Sequence, residues 1–204
     1  MKIAFCDTLG LCYDGTTITR RGLGGSESAT IYISRELAKI GFDVTIFNDC
    51  ESDDCSPGIY ENVLYRTLRE VEECDEYDVV FAVRSVAPFA PSNIIQSRQF
   101  KSFIGLPNFT KLQQSSKHKV CIMHDTFCDG DDLIESFLLD GHINEVFTLS
   151  DFHTSYVSNC DHGKRRMFEV MKRFIFQTRN GVGILPDWID VNAKDPNLFV
   201  YNSS

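Results

Sequence analysis

The sequence contains no CxxC pair: its eight cysteines stand at 6, 12, 50, 55, 74, 121, 128 and 160. That scatter excludes a structural zinc knuckle, whose ligands come in close pairs. No apolar run approaches the roughly 20 residues that a membrane-spanning helix needs, so no transmembrane segment is expected. The opening MKIAFCD reads as a strand and lacks the h-region of a signal peptide. Cys6 and Cys121 fall inside apolar strand runs, where free thiols pack as small hydrophobes. The expectation is a reduced, cytoplasmic protein in which the sequons at Asn108 and Asn202 are accidental. Positive charge is scarce too, since 20 Lys and Arg against 29 Asp and Glu give a net charge of −9. Duplex nucleic acid is bound by neutralising phosphates with Lys and Arg, so no nucleic-acid partner is expected. Repeats, low-complexity runs and a nucleophile-elbow serine are also lacking, and the last discounts a His124–Asp125 hydrolase dyad.

What is present is an ordinary globular composition, 43% hydrophobic and 24% charged, in a chain of 204 residues. A chain of that size buries roughly 70% of its unfolded surface, enough for a substantial core. Four continuous apolar runs, Ile3–Cys6, Val44–Asn48, Val79–Val83 and Val120–His124, read as strands covered on both faces. A fifth strand, Glu145–Leu149, runs into Ser150-Asp151, an N-cap pair for a following helix. Helices are expected at Ser26–Ile40, Leu68–Cys74, Pro91–Gln99, Asp132–Leu139, Asp151–Ser158 and Lys164–Arg179. In the first, Ala29, Ile33, Leu37 and Ile40 form the expected core stripe, Ser26 the cap and Gly41 the C′ residue. Strands alternating with helices predict an α/β fold, a Rossmann-like, doubly wound, mostly parallel sheet. The expected division is a domain over 1–181 and an irregular connector over 182–204.

The loop Gly22-Leu23-Gly24-Gly25-Ser26-Glu27 opens the first helix at the carboxyl end of the sheet. Helix N-termini there offer free backbone N–H groups to anions, and glycine lets a phosphate or sugar approach the backbone closely. A dinucleotide fingerprint would explain Gly22 and Gly24, with Asn48-Asp49 near the ribose. Its third glycine position is Glu27, however, and Gly22 comes sixteen positions after Cys6 rather than in a tight turn. An NAD-dependent oxidoreductase therefore stands as a weaker alternative. His124 closes a strand run and is expected to point into the ligand crevice. Arg20 and Arg21 precede the glycines on a loop that could fold over a phosphate. Asp129, Asp131 and Asp132 lack the later ligands of a calcium loop, and no metal site is expected.

Taken in order, GLGGSE at the first helix, His124-Asp125 after a middle strand, LSDFH after the fifth and Asn180-Gly181 before a proline-bearing connector form a set. That set resembles the family 4 glycosyltransferases, retaining enzymes of the GT-B fold, and it runs through essentially the whole chain. The resemblance implies the N-terminal, acceptor-side half of a two-domain enzyme. Gly24, Gly25, Ser26 and Glu27 would lie against the donor's diphosphate and sugar, with Arg20, Arg21 and Asp125 as possible loop contacts. His124 would touch the donor sugar, while Ser150, Asn180 and Gly181 would mark the hinge. Gly183 and Pro186-Asp187-Trp188 depart from the family's usual connector. The implied donor is a nucleotide-diphosphate sugar, with no further cofactor, and the implied acceptor is a carbohydrate. A C-terminal donor-binding domain, in cis or in trans, would supply the rest, and these residues alone are expected not to transfer sugar. A non-catalytic module binding a glycan or a protein through the exposed cleft face is the reading of a different class.

Overall fold

The apolar runs pair side by side in the computed structural model, which describes residues 1–52, 54–96, 103–124, 133–151, 154–155 and 173–177. Eight strands, β1 (Lys2–Asp7), β2 (Asp43–Asn48), β3 (Gly58–Tyr60), β4 (Val63–Thr67), β5 (Tyr77–Val83), β6 (Ser116–Ile122), β7 (Glu145–Thr148) and β8 (Ile175–Gln177), form one sheet. Its order is β3-β4-β2-β1-β5-β6-β7-β8. Every neighbouring pair is parallel except the β3–β4 hairpin. Helices α1 (Thr17–Arg20), α2 (Gly25–Lys39), α3 (Ser92–Gln96), α4 (Thr110–Gln114) and α5 (Ile134–Leu139) connect them, with 3-10 helices at Leu68–Glu73 and Ala87–Phe89.

Two apolar cores sandwich the sheet. Ile31 of α2 packs with Phe5, Ile46 and Tyr65 on one face. Val71, Leu112 of α4 and Phe137 of α5 pack with Ala4, Val80 and Cys121 on the other. Successive residues of a strand point to opposite faces, so Ala4 and Phe5 must both be apolar, and both are buried. This is why β1 and β2 read as unbroken apolar runs. The result is an α/β fold with a mostly parallel sheet, as expected.

Several details differ from the expectation. The buried side of α2 is Ser26, Glu27, Thr30, Ile31 and Ser34, while Ile33 is 40% and Ile40 71% exposed. Hydroxyls tolerate this burial because Thr30 Oγ1 donates to the Ser26 carbonyl and Ser34 Oγ to that of Ile31, each at 2.9 Å. The N-cap is Gly24, and no side chain caps the helix, so Ser26 sits inside the first turn. At the other end Gly41 (φ 94°) donates to Ala38 O and Phe42 to Leu37 O, the Schellman pairing.

The β3–β4 hairpin was not expected; it turns through Glu61 and Asn62, both at positive φ, as a two-residue primed turn demands. In place of the helix expected over Lys164–Arg179, the described part of that stretch holds β8, paired to β7 through Val146↔Ile175 and Phe147↔Phe176. The Phe176 ring meets Phe147 at 6.0 Å, extending an aromatic row from Phe5 through Phe81. That packing, together with the β-branched Ile175, outweighs helix propensity. The connector expected over 182–204 and most of the helix expected at Asp151–Ser158 lie outside the described residues.

Candidate functional site

From β1 the chain moves to β2 on one side, and from β5 it moves to β6 on the other. The gap between the carboxyl ends of β1 and β5 is therefore the topological switch point, where open α/β sheets bind ligands. Asp7, the last residue of β1, and Arg84, the first after β5, meet there. The Arg84 backbone is left-handed (φ 63°), and its N–H donates to the Ile122 carbonyl at 2.8 Å. For a residue with a Cβ this conformation costs roughly 1–2 kcal/mol, and such strain gathers at functional sites.

Arg84 Nη2 donates to Glu27 Oε1 at 3.0 Å and to Asp7 Oδ1 at 3.4 Å. One nitrogen thus ties together β1, β5 and the first turn of α2. Both carboxylates are buried, with side-chain exposures of 0% for Asp7 and 3% for Glu27. Neither depends on Arg84 alone. The loop between β1 and α1 supplies the Leu11 N–H to Glu27 Oε1 at 3.2 Å and the Leu9 N–H to Asp7 Oδ1 at 3.3 Å. Tyr13 donates its hydroxyl to Asp7 Oδ2 at 3.3 Å. Burial pushes the Asp7 carboxyl above its ordinary range; Arg84 opposes the rise and Glu27 adds to it. The Tyr13 phenol is pushed well up by burial, then by Asp7.

The same loop is braced from behind. Asp14 accepts from the Thr16 amide and hydroxyl at 2.8 Å, the Ser56 amide at 3.1 Å and Arg20 at 3.1 Å. Burial pushes the Asp14 carboxyl up, but the hydrogen bonds from Thr16, Ser56 and Thr17 win and hold it below its ordinary value. A disulfide joins Cys12 to Cys55 in the segment after β2, against the expectation of a fully reduced chain. Cys6 and Cys121 are buried free thiols, as expected.

Of the residues singled out in the sequence, Gly24, Gly25, Ser26 and Glu27 open α2 beside this cluster. A Cβ on Gly24 would overlap the Glu27 carboxylate, which folds back across the helix end, whereas one on Gly25 would meet nothing within 4 Å. Close approach at Gly24 is therefore to the chain's own Glu27. Arg20 binds Asp14, and Arg21 donates to the Cys12 carbonyl, so both brace their own loop. His124 is half-buried two residues past β6, on the same edge of the sheet. It stands two strand spacings from β1, about 10 Å. Ser150 accepts the Thr154 N–H at 2.8 Å, as at the start of a helical turn. Asp125, Asn180 and Gly181 lie outside the described residues.

Asp7, Tyr13 and Arg84 were not singled out in the sequence. The rule that selects His124, a residue just past a strand's carboxyl end, selects Asp7 and Arg84 equally well. Among the described residues no group of three His, Cys, Asp or Glu side chains is arranged to hold a metal ion, and no helix is long and apolar enough to cross a membrane. No protein-family model matches the chain, and no curated protein matches it either.

Proposed function

We propose that the chain is the N-terminal, acceptor-side domain of a retaining glycosyltransferase of the GT-B type. It would take a nucleotide-diphosphate sugar as donor and a carbohydrate as acceptor, with no further cofactor. The observation that carries the reading is the position of the GGSE helix start. It lies at the carboxyl edge of a parallel sheet, beside the switch point of β1 and β5, with His124 on the same edge. The resemblance asks for that arrangement in that order. Gly25 offers open space at the positive end of α2, and His124 would orient the sugar. A second domain, in cis or in trans, would meet most of the diphosphate charge, and without it these residues would not turn over. The cytoplasm is the compartment this reading assigns.

A non-catalytic module is the second reading, favoured by one observation. Tyr32 (53% exposed), with Arg35 over its ring, Ile33 and the C-cap Ile40 leave apolar surface exposed on and just past α2. The two readings separate in a heteronuclear NMR titration with nucleotide-diphosphate sugars and with NAD. Saturable shifts at Gly25 and His124 with a sugar nucleotide, and none with NAD, are expected of the transferase half. Silence toward every sugar nucleotide would sink it, and shifts with NAD would revive the oxidoreductase.

A further inference from the structure

We propose that Cys12–Cys55 is a thiol–disulfide exchange site whose redox state sets the order of the loop that supplies hydrogen bonds to Asp7 and Glu27. The inference rests on the disulfide and the loop geometry rather than on the transferase reading.

The loop from Thr8 to Thr16 is anchored unevenly. Its second half is held without the disulfide: Tyr13 N–H donates to Asp49 O at 3.3 Å, Asn48 Nδ2 to Tyr13 O at 2.7 Å, and Ser56 N–H to Asp14 at 3.1 Å. Its first half, Thr8 to Cys12, is tied down by the Cys12–Cys55 bond, by Arg21, which donates to the Cys12 carbonyl, and by the Leu9 and Leu11 amides that reach Asp7 and Glu27. Leu11 is itself 57% exposed and packs little. Opening the disulfide removes the one covalent tie on that stretch, leaving it held by Arg21 at the Cys12 carbonyl and by its own two amides, and leaves Tyr13 and Asp14 in place.

The exchange is accessible and selective. Cys12 is half-buried and Cys55 is 4% exposed, so attack falls on the Cys12 sulfur. A dithiol reductant supplies the two electrons. Its thiolate bonds to Cys12 Sγ and the Cys12–Cys55 bond breaks, leaving Cys55 as a thiolate that takes up a proton. The reductant's second thiol then closes its own ring disulfide and releases Cys12 as a thiol. The free cysteines among the described residues, 6, 50, 74 and 121, are all buried. Burial, with nearby carboxylates second, pushes the Cys50 thiol up to about 12, and it pushes Cys6 well above its usual value. Cys6 and Cys50 are thereby disfavoured as thiolates, the form that attacks a disulfide. Wherever thiols keep the surroundings reduced, a disulfide of this kind is transient.

Peptide mapping of the full chain without reductant, then amide hydrogen exchange with and without dithiothreitol, tests the proposal. The expected results are a linked Cys12–Cys55 peptide and a rise of about tenfold or more in exchange at Leu9 and Leu11 on reduction. Tyr13 and the β1 and β5 amides should change less than about twofold, and Cys12→Ser should reproduce the reduced pattern whether or not dithiothreitol is present. Absence of the linked peptide, unchanged exchange at Leu9 and Leu11, or a rise shared by the whole sheet would each overturn it. A sugar-nucleotide titration of both forms keeps the two readings apart. Binding to neither form counts against the transferase and leaves the exchange site standing.

Discussion

Replacing Arg84 by Met removes the cation that pairs with two buried carboxylates while leaving a side chain of similar length. Breaking a buried ion pair by deleting one partner costs about 3–5 kcal/mol, because the other charge stays buried. Here the lower end applies, about 3 kcal/mol at pH 7. Glu27 keeps the Leu11 amide, and Asp7 keeps the Leu9 amide and the Tyr13 hydroxyl. Arg84→Gly separates charge from backbone, since it loses the same cation but relieves the left-handed φ of 63°. It should fall short of wild type by about 1 kcal/mol less than Arg84→Met does.

The pH dependence has a definite sign. The folded Asp7 already holds its proton above the ordinary carboxylate pKa. Loss of Arg84 takes away the effect that lowers it, so the folded variant binds that proton over a wider range than the unfolded chain. Stability then falls as pH rises between the unfolded pKa and the raised folded one. The deficit against wild type is therefore greatest at neutral pH and shrinks as pH falls toward about 4. Urea unfolding at pH 7 and pH 4.5, read as midpoint shifts at constant m, measures it. Asp7→Asn in the Arg84→Met background should recover part of the loss at pH 7. A deficit below about 1 kcal/mol, or one of equal size at both pH values, would mean that the carboxylates are solvated and the buried-cluster argument is wrong.

At the start of α2, Gly25→Ala meets no neighbour and should hold or raise stability by up to about 1 kcal/mol. Gly24→Ala should destabilise, because the new Cβ displaces the Glu27 carboxylate from Arg84; thermal melts that rank the two the other way would refute the assigned geometry. Glu70 closes a capping box on Thr67 and accepts the Thr67 amide at 2.7 Å. Burial pushes its carboxyl up, but hydrogen bonds from Thr67 and Arg66 hold it below the ordinary value. Its contribution is present above the unfolded pKa and is lost as pH falls through the folded one. Glu70→Gln should therefore cost about 0.5–1 kcal/mol at pH 7 and almost nothing at pH 3, measured by urea unfolding.

The central strands were legible because burial on both faces forces mostly apolar runs, as in β1, β2, β5 and β6. The edges were not. The β3–β4 turn uses Glu61-Asn62 rather than Asn-Gly, so it carries no strong turn signal. Phe174-Ile175-Phe176 carried the aromatic and β-branched mark of a strand, but it sat at the end of a stretch with helical spacing. In α2 the expected apolar stripe held at Leu37, which packs against the core, but misled at Ile33 and Ile40, because the helix orients by what its first turn must reach. Glu27 has to meet Arg84, and that turns Thr30, Ile31 and Ser34 toward the sheet. The site was half legible for a related reason. Glu27 lay within a motif, whereas Asp7 and Arg84 gain their meaning only from the strand order that brings β1 beside β5.

Charge at that crevice decides what can enter it. With both carboxylates ionised, Asp7, Glu27 and Arg84 sum to −1, and a diphosphate drawn to the positive end of α2 would be repelled. Two unit charges 4 Å apart interact by about 4 kcal/mol at an effective dielectric of 20, more than the roughly 0.3–2 kcal/mol a helix N-terminus returns. Burial pushes the Asp7 carboxyl up against the opposing pull of Arg84, so the repulsion eases as pH falls and Asp7 takes up its proton. Carboxylate oxygens accept hydrogen bonds, which suits the hydroxyls of an uncharged ligand better than a phosphate. On the proposed transferase reading, the burden of holding the diphosphate falls on cations outside these residues. The Leu9 and Leu11 amides, beside Cys12–Cys55, fix the orientation of those oxygens.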